Sequence, residues 1–351
     1  MDKKMRNILT SKAYREDISK IIDSLEMQRF YNCNILVTGG LGLICSAIVD
    51  IFVVYNETSN ANLKVYVADI NEAFFDERYG DYACVKYVKY DATKPIDFDI
   101  DVDYIIHGAG LASPELYVSK PVETMVSNFN GVLNLLEYSR AHSIKRMLYI
   151  SSSEVYGSKD TIDAFEEDRF GSVNINLIRS SYSEAKRASE VLCRSYSSEY
   201  DVDTVMVRPG HIYGPTASPR DKRISSEFAY MAAQGKALEM KSLGLQKRSY
   251  CYCLDCAGAI LIALLNGQKG ESYNIGHDEV TTIRDMALMI AEAGGVELKI
   301  NQPTEADLRQ FNPMDNSSLN NNKIKAIGYR DSFTAIEGLR NTVLILRECI
   351  E

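Results

Sequence analysis

The stretch NILVTGGLGLICSAIVDIF, residues 34–52, constrains the fold more than any other part of the chain. A short strand-like run enters a glycine turn, and an apolar helical pattern follows. Gly39 and Gly42 stand where a tight turn must bring backbone against a pyrophosphate. A helix opening near Leu43 then offers free N–H groups and its positive end to that anion. The spacing is TGxxGxxG, except that Cys45 occupies the third glycine position, where close helix–strand packing is normally made. Cysteine is small, so a slight shift is expected and not loss of binding. A glycine turn alone is weak evidence. Here a strand precedes it and a helix follows, which is the context the motif requires.

A second strand, KVYVAD, ends in Asp69. A carboxylate there accepts hydrogen bonds from adenosine ribose hydroxyls and repels a 2′-phosphate, so NAD is favoured over NADP. Asp91 and Ala92, in KYDATKP after the third strand, are expected near the adenine.

From Asn34 onward, strand and helix patterns alternate. The strand candidates are Ile35–Thr38, Lys64–Ala68, Val85–Tyr90, Tyr104–His107, Met147–Ser151 and Thr204–Arg208. Such alternation predicts an α/β fold: a doubly wound parallel Rossmann sheet with helices on both faces. At 351 residues the chain is long for one core, which suggests two packed lobes. The expected division is an N-terminal helical extension over 1–32, a dinucleotide-binding domain over 33–210 with a return segment at about 249–266, and a mainly substrate-binding lobe over 211–351. In the extension, Ile18, Ile21, Ile22 and Leu25 share a helical face, as a lobe cap or an oligomer contact would.

The net charge of -9 repels nucleic acid, and no run of Lys and Arg offsets it. An anionic substrate must therefore be held by local Arg residues and helix N-termini. No stretch approaches the apolar length of a membrane span, and the opening residues lack the apolar core of a secretory signal. A cytoplasmic protein with no membrane association is expected. The eight Cys are scattered, as reduced thiols of a cytosolic enzyme are. Cys251, Cys253 and Cys256 lie in RSYCYCLDCAGAI, a strand running into a helix. No second Cys pair or His pair accompanies them, so packing is favoured over metal binding and no metal site is expected.

Tyr182 and Lys186 are four residues apart, so on a helix they share one face. An ammonium beside a phenol favours the phenolate. Such a Tyr can take a hydroxyl proton while hydride leaves the same carbon. The motif is common by chance, but its place after the alternating pattern, with SSSEVYG upstream, strengthens it. Ser152 is positioned to hydrogen-bond the reacting oxygen. His107, ending the fourth strand, reads as a turn-packing residue near the cofactor. His211 is open between a substrate contact and a backbone hydrogen bond.

These motifs together resemble the extended short-chain dehydrogenase/reductase family of nucleotide-sugar epimerases, dehydratases and decarboxylases. The likeness covers roughly residues 34–274. Within that family the run HGAGLASPELYVSKP is similar to the HLASPASPxxYxxNP of the UDP-glucuronate decarboxylase group, with Ala112, Ser113, Pro114, Tyr117 and Pro121 retained. SSSEVYG matches STSEVYG, RSSYSEAKRASE matches RxCYDEGKRxxE, and DKRISSEF matches DGRVVSNF. The resemblance implies Ser152 as the catalytic Ser/Thr, Tyr182 as general base, Lys186 as the ribose-binding Lys and Glu154 as an acid beside the sugar. It implies substrate contacts at Tyr117, Ser153, Arg223 and Arg248. It also implies NAD contacts around Leu43, Ile44, Gly108, Ala109 and Pro209, and a homodimer built on the helices holding Asn128 and Tyr182. Gly110 and Leu111 depart from the pattern, as does His211, where Asn usually contacts the diphosphate.

The shared chemistry is transient oxidation at sugar carbon 4, of the kind used in polysaccharide biosynthesis. Decarboxylation of a nucleotide-linked uronate ranks first. Epimerisation or net oxidation at carbon 4 follows, and 4,6-dehydration is third because Ser153 stands where that group has Asp. A non-catalytic NAD-binding sensor is the alternative of another class, and the intact Ser152, Tyr182 and Lys186 argue against it.

Overall fold

Apolar runs that are buried on both faces pair as parallel strands. In the computed structural model, which describes residues 6–159, 163–219, 221–302 and 316–350, six strands lie within one residue of the expected segments. They are β1 (Asn34–Thr38), β2 (Lys64–Asp69), β3 (Val85–Lys89), β4 (Tyr104–His107), β5 (Arg146–Ile150) and β6 (Thr204–Pro209). Four short strands follow: β7 (His211–Tyr213), β8 (Leu238–Met240), β9 (Lys247–Arg248) and β10 (Tyr250–Tyr252). Next, β11 (Ser272–Ile275) returns to the main sheet beside β6 as a seventh strand, one that the sequence pattern did not single out.

The main sheet is wholly parallel, in the order β11-β6-β5-β4-β1-β2-β3. This is a doubly wound α/β fold, as expected. The order reverses between β1 and β4, and a crevice forms outside the strand ends at such a reversal. Thr38 lies beside Ala68 on one side and His107 on the other, so the ends of β1, β2 and β4 meet there.

The helices explain which face each segment covers. The N-terminal extension contains α1 (Lys12–Asp23), capped by the Ser11 hydroxyl, which accepts from the Tyr14 N–H. Ile18 and Ile21 of α1 are fully buried, each such side chain stabilising by roughly 1.5–3 kcal/mol. Helix α2 (Leu43–Ser59) follows the glycine turn and is buried along most of its length. Helix α3 (Glu72–Tyr79) follows β2. A buried polar cluster ties these three helices together. The Asp50 carboxylate accepts from the Tyr14 hydroxyl at 2.7 Å, from the Arg78 guanidinium at 2.6 Å and from the Tyr79 hydroxyl at 2.8 Å. Removing one partner from such a cluster leaves a buried charge short of a hydrogen bond.

On the other face lie α4 (Pro114–Ser119), α5 (Pro121–His142) and α6 (Ser180–Glu199). Beyond Gly210, α7 (Ile224–Ala233), α8 (Cys253–Asn266), α9 (Ile283–Gly294) and a last helix, Ala335–Cys349, alternate with the short strands. Helix α8 packs against α2 and the sheet, and its start holds Cys253 and Cys256 in an apolar, fully buried setting. The small strands pair as β7 with β10, β9 with β12 (Thr281–Thr282), and β8 with β13 (Leu298–Ile300). Among the described residues no helix is long and apolar enough to cross a membrane.

Candidate active site

The glycine turn is shaped by close backbone approach. Gly39 has φ +66°, and a Cβ there would stand 2.8 Å from both Cα and N of Ala109. Its N–H donates to the Ala68 carbonyl at 2.8 Å. Gly40, which the sequence reading passed over, is needed as well: a Cβ there would meet the Val67 side chain at 2.9 Å. Gly42 caps α2 without a side chain, so the first N–H groups of the helix, from Leu43 and Ile44 onward, have no side-chain cap. The Leu43 carbonyl accepts from the Thr216 hydroxyl at 2.7 Å, tying this turn to the segment after β7.

Cys45 fits in place of the third glycine for a steric reason. A Cβ on Gly108 would lie 2.3 Å from the Cys45 sulfur. Gly108, which stands where the resembling motif has Leu, leaves the room that the thiol fills. Burial pushes the Cys45 thiol up to about 12, so it remains protonated and packs as a small apolar group.

Asp69 serves the turn and faces the crevice. One carboxylate oxygen accepts from the N–H groups of Ile70 at 2.8 Å and Asn71 at 3.3 Å, the other from Leu41 N–H at 3.3 Å. Burial raises its pKa against these bonds. Asp91 is engaged within its own turn. It accepts from the Thr93 hydroxyl and N–H and pairs with Lys94 at 3.3 Å, which holds it below the usual carboxylate range. Ala92 beside it is buried. The Gly108 N–H donates to the Thr38 carbonyl, and Pro209 ends β6 next to β11. His107 is fully buried, with Nδ1 2.6 Å from the Thr38 hydroxyl and its ring stacked on Tyr149. Burial, then the charge of Lys186, pushes His107 down to about 3, so it packs as a neutral ring.

The chemical groups converge from α6 and the loop after β5. Tyr182 and Lys186 lie one turn apart on α6, and both are buried. The Lys186 ammonium donates to the Ile150 carbonyl at 2.8 Å and lies 5.6 Å from the Tyr182 ring centroid. Burial, opposed by Glu190 and two thiols, lowers the Lys186 pKa to about 7. Burial raises Tyr182 to about 12, opposed by hydrogen bonds from Ser152 and Tyr117 and by the charge of Arg223. Ser152 caps the turn Ser153–Tyr156, its hydroxyl accepting from the Glu154 N–H at 3.2 Å. Ser153 is half-buried in that turn. Glu154 reaches Arg179 at 3.5 Å, with both side chains partly in solvent.

Two arginines hold this loop in place, and the sequence reading gave neither a role. Arg187, next to Lys186, donates to the carbonyls of Val155 at 2.6 Å, Tyr156 at 3.3 Å and Gly171 at 3.1 Å. Arg208 is fully buried and pairs bidentately with Glu190 of α6 at 2.9 and 2.7 Å. It also donates to the Tyr156 hydroxyl at 2.8 Å, which in turn donates to Asn274 of β11 at 2.5 Å. Arg208 holds the Glu190 carboxyl below its ordinary range in spite of burial. The only sequence signal was position: Arg187 and Glu190 fall within RSSYSEAKRASE.

On the substrate side, the Tyr117 ring stacks on Tyr182 with centroids 4.3 Å apart. His211, on β7, stands edge-on to Tyr250. Its Nδ1 is buried without a hydrogen-bond partner, and burial, then the charges of Arg248 and Arg223, pushes it down to about 3. In this setting it is a neutral ring. Arg223 begins α7 and is held by Asp221 at 2.9 Å. Arg248 is buried on β9 and donates to the Lys247 carbonyl. At Gly110, a Cβ would overlap the Asn128 amide oxygen at 2.6 Å, so the departure there goes with a side chain that α5 brings in. The fold thus gathers Ser152, Glu154, Tyr117, Tyr182, Lys186, Arg223 and His211 at one end of the crevice, with Asp69 and Asp91 at the other strand ends.

A family model described as NAD dependent epimerase/dehydratase family matches residues 35–276. The chain is 33% identical to UDP-glucuronic acid decarboxylase 3 of Arabidopsis thaliana over 287 residues, 80% of this chain and 81% of that protein. It is 32% identical to UDP-glucuronic acid decarboxylase 6 of the same plant, over 82% of this chain and 83% of that protein. Among solved structures, the UDP-glucose 4-epimerase of Thermus thermophilus in complex with NAD is similar at TM-score 0.72 and 26% identity, covering 90% of this chain and 99% of that one.

Proposed function

This chain belongs to the NAD dependent epimerase/dehydratase family, and on that premise we propose that it is an NAD-dependent nucleotide-sugar enzyme that decarboxylates UDP-glucuronate. The observation that carries the reading is the seating of Ser152, Tyr182 and Lys186 together at the end of the crevice that the glycine turn opens. The cradle at Gly39 and the uncapped start of α2 suit a pyrophosphate. Asp69 suits the adenosine ribose of NAD, with Asp91, Ala92, Gly108, Ala109 and Pro209 along the remaining strand ends.

When bound, NAD supplies a hydride acceptor at sugar carbon 4 and later gives the hydride back. Tyr182 takes the proton of the carbon 4 hydroxyl as that bond is oxidised, and Ser152 holds the same oxygen. With a carboxylate on carbon 5, the 4-ketone is a β-keto acid. It loses carbon dioxide, and its enolate takes a proton at carbon 5. Arg223 helps to position the carboxylate before it leaves, since a guanidinium pairs with it bidentately. Glu154 stands beside the sugar as the acid that manages the proton. Tyr117, Ser153, His211 and Arg248 line the path of the sugar and diphosphate, with His211 acting as a neutral ring.

The eight cysteines are unpaired thiols, which suits the reducing cytoplasm. A homodimer through α5 and α6 is supported by apolar side chains left exposed on them, including Val122, Met125 and Val191. Epimerisation at carbon 4 is the second reading, favoured by the likeness to the UDP-glucose 4-epimerase of Thermus thermophilus, while His211 in place of Asn and the changed run at Gly110 and Leu111 bear on which nucleotide and sugar are taken.

The test is mass spectrometry of products from UDP-glucuronate and NAD. Loss of carbon dioxide is expected, and Tyr182→Phe should reduce turnover by about 10²–10⁴-fold. No mass change removes the decarboxylase reading. A panel of neutral nucleotide sugars then separates epimerisation from water loss and net oxidation.

A further inference from the structure

The rings of Tyr117 and Tyr182 lie face to face, with centroids 4.3 Å apart and planes 9° from parallel, and both are buried. Stacked aromatic pairs are worth about 0.5–1.5 kcal/mol beyond the area they bury. Tyr117 is held from both sides of its short helix. Its own carbonyl accepts from the Ser181 hydroxyl at 3.3 Å, tying α4 to the residue beside Tyr182. The Leu116 carbonyl accepts from the Thr124 hydroxyl at 3.3 Å. No sugar fits between rings so close, so a substrate must meet Tyr182 at its hydroxyl edge.

Around that edge, Ser152 and Tyr117 both favour the ionised form of Tyr182. Burial, with the Tyr182 and Glu154 charges, holds Tyr117 far above its ordinary range, so it keeps its proton. The other groups facing Tyr182 are Glu154, which opposes its ionisation, and Arg223, which favours it. Lys186 lies one turn on, and the Tyr149 hydroxyl lies behind.

We propose that Tyr117 is a positioning residue for the general base: its buried ring, stacked on Tyr182, fixes the direction in which the phenol oxygen meets the substrate. This rests on the reading of Tyr182 as base, and it adds to the role of Tyr117 as a substrate contact.

Tyr117→Phe keeps the stack and Tyr117→Leu removes it. In the NAD-loaded protein the Phe variant should keep kcat within about threefold, while the Leu variant should lower kcat about tenfold with KM changed less than about threefold. Tyr117→Met serves the same test should the Leu variant not fold. A Phe variant as impaired as the Leu variant, or a loss confined to KM, overturns the proposal and leaves Tyr117 a substrate contact. Should Tyr182→Phe itself keep turnover, the reading of the base fails first. The two failures are therefore distinct.

Discussion

Along the glycine-turn wall of the crevice, shape is set by backbone, with Gly39, Gly40 and Gly108 each facing a neighbour that a side chain would strike. The facing wall, around Tyr117, His211 and Arg223, is set by rings and charges, and one of its polar atoms, His211 Nδ1, is buried with no partner. The first wall selects a dinucleotide mainly by shape, with the Asp69 carboxylate as a test of charge. The second presents rings and charged groups, so a ligand there is chosen by its own polar groups. Cofactor binding should therefore break by steric change, and substrate choice by change of chemistry.

The largest effect is expected from Gly39→Ala. It adds a side chain at φ +66° that would overlap the Ala109 backbone, at a cost of about 1–3 kcal/mol for the conformation alone. NAD affinity, measured by titration calorimetry, should fall by about 100-fold or more. Retained affinity would show that the turn is softer than its contacts indicate.

Lys186→Met sits where the two walls meet and should separate stability from chemistry. The folded protein lowers the Lys186 pKa from 10.5 to about 7. Between those values the unfolded chain binds more protons, so this lysine destabilises the fold at neutral pH, and the effect fades as pH rises toward 10.5. The variant should melt several degrees higher (about 2–4 °C per kcal/mol) at neutral pH. The gain should shrink in alkaline buffer, while turnover is lost. A lower melting temperature at neutral pH would mean that the ammonium is held more favourably than its burial implies.

His211→Asn should have the smallest effect. It should change KM for the sugar nucleotide by less than about tenfold. NAD affinity and melting temperature should stay unchanged. A change in NAD affinity would show that the two walls are coupled through β7.

Six strands, the glycine turn and the Tyr182–Lys186 pair were legible because each is a local pattern of period or spacing. Ser272–Ile275 was not, since four residues at the sheet edge carry too short a period to distinguish from a loop. Asp91 was legible as an acid after a strand, but not its bonds to Thr93 and Lys94, which depend on how its own turn closes. The roles of Arg187 and Arg208 were hidden for a different reason. Their partners lie up to tens of residues away in sequence, and only the folded loop brings the carbonyls of Val155, Tyr156 and Gly171 to one guanidinium.

Because the Cys45 sulfur fills the room left by Gly108, chimaeras made between this chain and its relatives face a rule about crossover points. A parent with glycine at 45 leaves a hole opposite Gly108, and a parent with leucine at 108 collides with Cys45. Both positions must come from the same parent, although 62 residues lie between them in the chain. Recombination in this fold is thus constrained by pairs of touching residues more than by contiguous modules.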